Sequence, residues 1–385
     1  MGNMKSRAVV IFLTIVASIP KYVIKKVLSI FNRNDAEPRS TCVICISHIG
    51  DNLCCLPALS LLRQKYPKAQ ITFFTSRPLV KLLERNPYNI DIQDYNEKDV
   101  CGIFKLVCSF KLYDAIYPLW HKRELLLAQS LWNKSIIAPE SFIYNWATIF
   151  KDRTYKQLDV LSVEEMFCSA WVKPEELVDN HVKFFVHHEP EKWFNENRTE
   201  QNRTEQNNIV YLHFGTQGNS RLWNVSSWLS LARYIKSLGF EPVWSGSGSF
   251  DKELLKQIDP ASEFQSAVGK YSIDELALKL REAEALVTVD TGIFHLAKLT
   301  ETKTLVLLGG SSFERIAPCD FYSQRNMYFV ASDFNCPNKK SASYHCQKNL
   351  LKNCPYNDGI VSDCMKGLSV EKVKSAVFDM LKQSK

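Results

Sequence analysis

Apolar and polar positions along this 385-residue chain fall into a repeating strand–helix rhythm. Cys42 to Ser47 is a short apolar run that predicts a strand, and Leu56 to Tyr66 predicts a helix. Ile71 to Thr75 and Leu79 to Arg85 repeat that pair, and Asp114 to Pro118 predicts another strand end. Residues 120–180 read as helix-rich and aromatic, with Trp120, Trp132, Trp146 and Trp171 as packing residues. A polar stretch follows, Asn195 to Asn208. It holds a tandem repeat, Asn197-Arg198-Thr199-Glu200-Gln201 and then Asn202-Arg203-Thr204-Glu205-Gln206. Neither copy has an apolar residue, so it reads as an exposed linker or loop.

A second series begins with the strand Ile209 to Phe214. Trp228, Leu231, Ala232, Ile235 and Leu238 lie at helical spacing, with Gly239 placed to end that helix. Pro242 to Trp244 is a strand before Gly246, and Ser272 with Glu275 forms a capping box ahead of Leu276 and Leu280. Ala285 to Val289 and Thr304 to Leu308 are strands. Ser369 caps a last helix with Val370, Val373, Val377 and Leu381 on one face. Strands alternating with helices imply parallel sheets, and the chain is longer than one core usually serves. Two α/β halves with a cleft between them are therefore expected, and ligand pockets prefer such a position.

Charge refines this picture. Residues 1–40 carry seven Lys/Arg (Lys5, Arg7, Lys21, Lys25, Lys26, Arg33, Arg39) against Asp35 and Glu37, most of the net +7. The remaining body is nearly neutral, which argues against a nucleic-acid partner. Ala8 to Ile19 is uncharged but too short for an ordinary membrane span. A basic segment lying on an anionic leaflet accounts for both the apolar run and the lysines. A cleaved signal peptide and a start site assigned too far upstream are the alternatives. Of twelve cysteines, Cys42, Cys45, Cys54, Cys55, Cys101, Cys108 and Cys168 read as small buried hydrophobes in a reducing compartment.

Three loops at predicted strand ends carry chemistry. In Ser47-His48-Ile49-Gly50-Asp51-Asn52, Gly50 permits a tight turn, and Asp51 is placed to take a proton from a bound hydroxyl if desolvation raises its pKa. The plainer alternative is that Asp51 or Asn52 caps the next helix. In Gly215-Thr216-Gln217-Gly218-Asn219-Ser220-Arg221-Leu222-Trp223, backbone N–H groups and a cation can wrap a diphosphate. The alternative is a surface loop with a solvated arginine. In Val289-Asp290-Thr291-Gly292-Ile293-Phe294-His295, a strand turns into a helix through an acid, a hydroxyl and a glycine, with His295 one turn in. Such a junction is where open α/β sheets bind ligands, and the helix start favours an anion. A capped helix with a core histidine is the alternative there. Gly246-Ser247-Gly248 is a fourth, weaker loop.

Taken in order, these segments resemble the heptosyltransferase family of glycosyltransferases, family 9, over about Val43 to Val377. The pieces are Ile49-Gly50-Asp51, Leu56-Pro57-Ala58-Leu59, Tyr66-Pro67, Gly215, Arg221-x-Trp223, Asp290-Thr291-Gly292 with His295-Leu296-Ala297, and Leu308-Gly309-Gly310. The resemblance implies a GT-B fold: two Rossmann-like domains facing across a cleft, with the last helix crossing back. It implies an acceptor domain at 41–190, a linker at 191–208, a donor domain at 209–368 and a crossover helix at 369–385; the apolar/basic extension at 1–40 is atypical of the family. It implies inverting transfer of heptose from ADP-heptose to the lipopolysaccharide core and lipid A acceptor, with no cofactor required. The enzyme would work in the cytoplasm, peripherally on the inner membrane. Asp51 takes the place of the general base, and His48 and Gly50 lie on the acceptor side. Gly215, Thr216, Arg221, Gly246, Asp290, Thr291, Gly292, His295 and Gly310 lie on the donor side. Another nucleotide sugar, a protein acceptor, or a non-catalytic sugar-nucleotide binder are the rival readings.

Two departures from the family pattern stand out: arginine at 221 where lysine is usual, and Asn224 where proline follows the tryptophan. The arginine keeps the charge but changes its geometry. Cys336, Cys346, Cys354 and Cys364 are candidates for a metal, which some protein-glycosylating relatives carry as iron. Their spacing includes no Cys-x-x-Cys pair.

Overall fold

The computed structural model describes residues 37–95, 99–108, 111–119, 122–137, 167–168, 194, 207–216, 221–310, 316, 326–336 and 361–382. The basic tail through residue 36 and the tandem repeat lie outside these. The chain divides into two compact units near residue 190.

In the first unit the order is β1 (Ser40–Ile44), α1 (Ile49–Cys54), α2 (Leu56–Lys65), β2 (Gln70–Thr75), α3 (Arg77–Leu83) and β3 (Asp91–Asp94). Then come α4 (Val100–Cys108), β4 (Leu112–Pro118), α5 (Lys122–Ser130) and β5 (Trp132–Ile136). The sheet order is β3-β2-β1-β4-β5, and every pairing is parallel. Strand β1 is central and buried from Thr41 onward, as a strand covered on both faces must be. The helix expected from Leu56 is preceded by an extra helical turn, α1, and Pro57 sits in the first turn of α2, where its missing N–H costs nothing.

Two expectations fail here. Cys101 and Cys108 are exposed on one face of α4, beside the exposed Phe104. Leu106, partly buried against the core, lies on a different side of the helix, which a run read without its period cannot show. Cys42, Cys45, Cys54, Cys55 and Cys168 are buried. Trp132 opens an edge strand rather than continuing a helix. Asn133 ends the preceding helix by donating its amide to the carbonyls of Ala128 and Leu131 at 2.8 and 3.0 Å.

The second unit runs β6 (Asn207–His213), α6 (Val225–Ser237), β7 (Glu241–Ser245), α7 (Gly248–Ile258), β8 (Gln265–Ser266) and α8 (Ile273–Glu282). It continues β9 (Ala283–Val289), α9 (Gly292–Thr300), β10 (Thr304–Leu308), β11 (Met327–Ala331), α10 (Asp363–Lys366) and α11 (Val370–Lys382). The order β11-β10-β9-β6-β7-β8 is again wholly parallel. Strands β9 and β10 are buried at every position. Gly239 follows α6 at φ +91, the left-handed conformation that ends a helix. The Ser272–Glu275 capping box is present, with the Ser272 N–H donating to the Glu275 carboxylate at 2.8 Å. Asn224 caps α6 by accepting the Ser226 N–H at 3.2 Å. Helix α11 packs on α6, β10 and β11 of its own unit, burying Val373, Val377, Met380 and Leu381.

A consequence for function follows from strand order alone. In each sheet the chain reverses direction beside its first strand, between β1 and β4 in one unit and between β6 and β9 in the other. Ligands of open parallel sheets bind outside the strand C-termini at that switch point. The loops after β1, β6 and β9 are the three singled out above.

Candidate functional site

In the first unit the candidate base is held by its own loop. The Ile46 N–H donates to the fully buried Glu124 carboxylate at 2.9 Å, which fixes the chain as it leaves β1. Ser47 Oγ donates to Asp51 Oδ2 at 2.6 Å, and Asp51 is half-buried in the first turn of α1. Asn52 donates to the carbonyls of Ser47 and His48 at 3.0 and 2.8 Å and accepts from Thr75 Oγ1 at 2.7 Å. Neither residue is the helix cap. That position is His48, which is exposed and makes no side-chain cap. Gly50 lies inside α1 and is half-buried. The Cys55 thiol donates to the Asp51 carbonyl at 3.2 Å, so the turn is tied from below as well.

In the second unit, the loops after β6 and β9 meet. Arg221 Nη1 donates to the Asp290 carbonyl at 2.9 Å, and its Nε lies 3.5 Å from Asp290 Oδ2. Asp290 is buried and Arg221 about one-quarter exposed. The arginine is thus not a solvated loop residue. Thr291 is the N-cap of α9 but makes no side-chain cap bond, and Thr291 and Gly292 are half-buried. The free N–H groups of such a first turn favour an anion. His295 is half-buried one turn in, with Nδ1 3.0 Å from Lys298 Nζ. Burial, first, and the neighbouring Lys298 charge hold its imidazole pKa well below the usual value; Asp290 opposes them and Arg221 adds to them.

Gly215 and Gly246, at the ends of neighbouring strands, have a different explanation from backbone approach to a ligand. A Cβ on Gly215 would lie 2.4 Å from Asp251 Oδ2, and one on Gly246 would lie 2.9 Å from it. Both glycines make room for this buried carboxylate of α7, which accepts the Ser247 N–H at 2.5 Å. Burial raises the pKa of Asp251, and that hydrogen bond lowers it in part. Thr216 is half-buried beside them. Gly310, past β10, is half-buried, while its neighbour Gly309 packs on Met365 of α10. Trp223 anchors the arginine loop from within the core, donating to the Leu368 carbonyl at 2.8 Å.

Four participants escaped the sequence reading: Ser47, Glu124, Asp251 and Lys298. Asp251 and Glu124 look like ordinary first-turn acids, and only the fold brings them to strand ends. Lys298 alone left a trace, a charge on the apolar side of a helix otherwise buried from Leu296 to Thr300. Of the four candidate metal cysteines, Cys364 is buried and Cys336 partly buried, and Cys346 and Cys354 lie outside the described residues. Among the described residues no group of three His, Cys, Asp or Glu could hold a metal.

Two Rossmann-like units, each a parallel sheet with candidate site residues at its switch point, give the chain a GT-B fold. Residues 178–349 match the model of glycosyltransferase family 9 (heptosyltransferase). The chain is 24% identical over 172 residues to lipooligosaccharide heptosyltransferase 2 of Campylobacter jejuni, covering 43% of this chain and 49% of that protein. It is 27% identical over 138 residues to lipopolysaccharide heptosyltransferase 1 of Pseudomonas aeruginosa, covering 35% and 38%. The chain thus spans about half the length, or less, of these relatives. Among solved structures, a family 9 glycosyltransferase from Veillonella parvula superposes with TM-score 0.66 at 17% identity, over 91% of this chain and 100% of that one. The E. coli heptosyltransferase WaaC with ADP superposes with TM-score 0.61 at 14% identity, over 89% and 99%.

Proposed function

We propose that the protein is an inverting glycosyltransferase that moves heptose from ADP-heptose to a saccharide of the lipopolysaccharide core, without a cofactor. The observation that carries this reading is the Arg221–Asp290 pair at the switch point of the second sheet, beside the open first turn of α9. It joins a cation and helix N–H groups where a nucleotide diphosphate would bind. Asp51, oriented by Ser47, takes the proton of the acceptor hydroxyl. The hydroxyl oxygen attacks the anomeric carbon, and the bond from that carbon to the diphosphate oxygen breaks. Negative charge grows on the departing ADP, where Arg221 and the helix start stabilise it.

The reaction runs in the cytoplasm, with the basic tail holding the enzyme on the anionic inner-membrane leaflet near its lipid-linked acceptor. No helix of the described residues is long and apolar enough to cross a membrane, and this arrangement requires none.

The test is product analysis by mass spectrometry with a panel of nucleotide sugars and heptose-deficient core acceptor. Transfer from ADP-heptose is expected; transfer from a UDP-sugar alone overturns the donor assignment. Asp51→Ala is expected to lower turnover by about 10²- to 10⁴-fold, the usual worth of a general base. ADP affinity by calorimetry should stay within about twofold, since the base acts on the acceptor. Unchanged turnover refutes its role.

A further inference from the structure

The pair Lys298–His295 does more than pack. Lys298 is almost fully buried in α9, with Nζ 3.0 Å from His295 Nδ1 and 4.5 Å above the Phe294 ring. A lysine ammonium has donors only, so a bond to Nδ1 requires a lone pair there. The ring proton must then sit on Nε2. A second positive charge on the imidazole would meet the ammonium at hydrogen-bond distance in a poorly solvated place, and the ring stays neutral. The charged groups that reach the ring are Lys298 and Arg221, which oppose protonation, and Asp290, which favours it.

We propose that Lys298 is a positioning residue that fixes the tautomer of His295, so that the imidazole serves the donor site as a neutral Nε2–H donor to the oxygens of the nucleotide diphosphate. This rests on the reading of Arg221, Asp290 and α9 as the donor site. A neutral donor there has a chemical advantage. It binds the anion without becoming an acid that could protonate Asp290 or the leaving group early. The lysine supplies this by its own fixed charge.

The test uses the full chain with ¹⁵N-labelled histidine, read by long-range ¹H–¹⁵N correlation, with His295→Gln to assign the signal. Without ligand at neutral pH, His295 should show a protonated Nε2 and a bare Nδ1. Lys298→Met should mix the tautomers and move the titration of His295 upward, and Lys298→Arg, also a fixed cation with donors, should restore both. A protonated Nδ1 in the unaltered chain, or a His295 spectrum unmoved in Lys298→Met, overturns the proposal. Calorimetry separates this from the donor-site reading. His295→Gln should weaken ADP binding by up to about tenfold, the scale of one hydrogen bond to a charged group, and Lys298→Met by about twofold, since part of the ring population keeps its Nε2 proton. If the tautomer behaves as stated but neither variant changes ADP affinity, the donor-site reading fails and the proposed role of the imidazole fails with it. If Lys298→Met unfolds, the tautomer of the unaltered chain and the Lys298→Arg spectrum still decide.

Discussion

Arg221 shows how much a single side chain joins in this protein. It bridges two loops that lie 69 residues apart in sequence, using one nitrogen for a carbonyl and another for a carboxylate. Lysine at this position offers a compact ammonium without the rigid, spread fork that spans the two acceptors. Arg221→Lys is expected to weaken ADP binding a few-fold, and Arg221→Met by about 10- to 100-fold, as loss of a charge-assisted bond worth about 1.5–3 kcal/mol implies. Calorimetric titration of each variant measures this. Equal affinity for all three would remove Arg221 from the donor site. The loops of the candidate site were legible in the sequence where chemistry clusters locally, around Asp51 and from Asp290 to His295. Asp251 was not legible, because its meaning lies in two glycines from other strands that close around it. Glu124 was not either, because its partner is a backbone N–H 78 residues away.

At the scale of elements, α4 and α7 were passed over, but helices α2, α3, α6, α8 and α11 and strands β1, β2, β6, β7, β9 and β10 were read from period and capping. The edge strands β3, β5, β8 and β11 were not. Each has one neighbour, and β3, β5 and β8 lack the continuous apolar run of a buried strand; β11, Met-Tyr-Phe-Val-Ala, has one and was passed over. The joints between elements set stability. Trp223→Phe keeps most of the packing but leaves the Leu368 carbonyl, just before α11, without its N–H. A loss of about 1–3 kcal/mol is expected, seen as a lower urea midpoint at unchanged slope.

At the end of β6, His213 is buried with Nδ1 3.2 Å from Ser245 Oγ, and burial lowers its pKa from 6.5 to about 4. Below pH 6.5 the unfolded chain takes up a proton that the folded chain refuses. Stability should therefore fall as the pH drops from 6.5 towards 4, by up to about 3 kcal/mol from this group. Urea titrations at pH 7 and 4.5 test this, and His213→Gln should remove most of the difference that the group contributes. An identical pH dependence in the variant would rule His213 out as its source.

At the scale of the whole molecule, each unit closes its own sheet and core. A fragment of residues 190–385 should therefore fold alone, with a single urea transition, and bind ADP while transferring nothing, because Asp51 is absent from it. A fragment that stays unfolded by circular dichroism would show that the second unit needs the first. The two sheets are also alike in how they end. An all-parallel sheet cannot close into a barrel at this size and must leave two open borders, each a row of unpaired peptide groups. In the first unit one border is β3, Asp-Ile-Gln-Asp, with three of its four residues exposed and polar. In the second, one border is β8, only two residues long. Neither offers a long apolar ribbon for another chain to add to. The same economy that made these strands invisible to a hydrophobic pattern guards the protein against sticking to copies of itself while its slow-forming parallel sheets assemble.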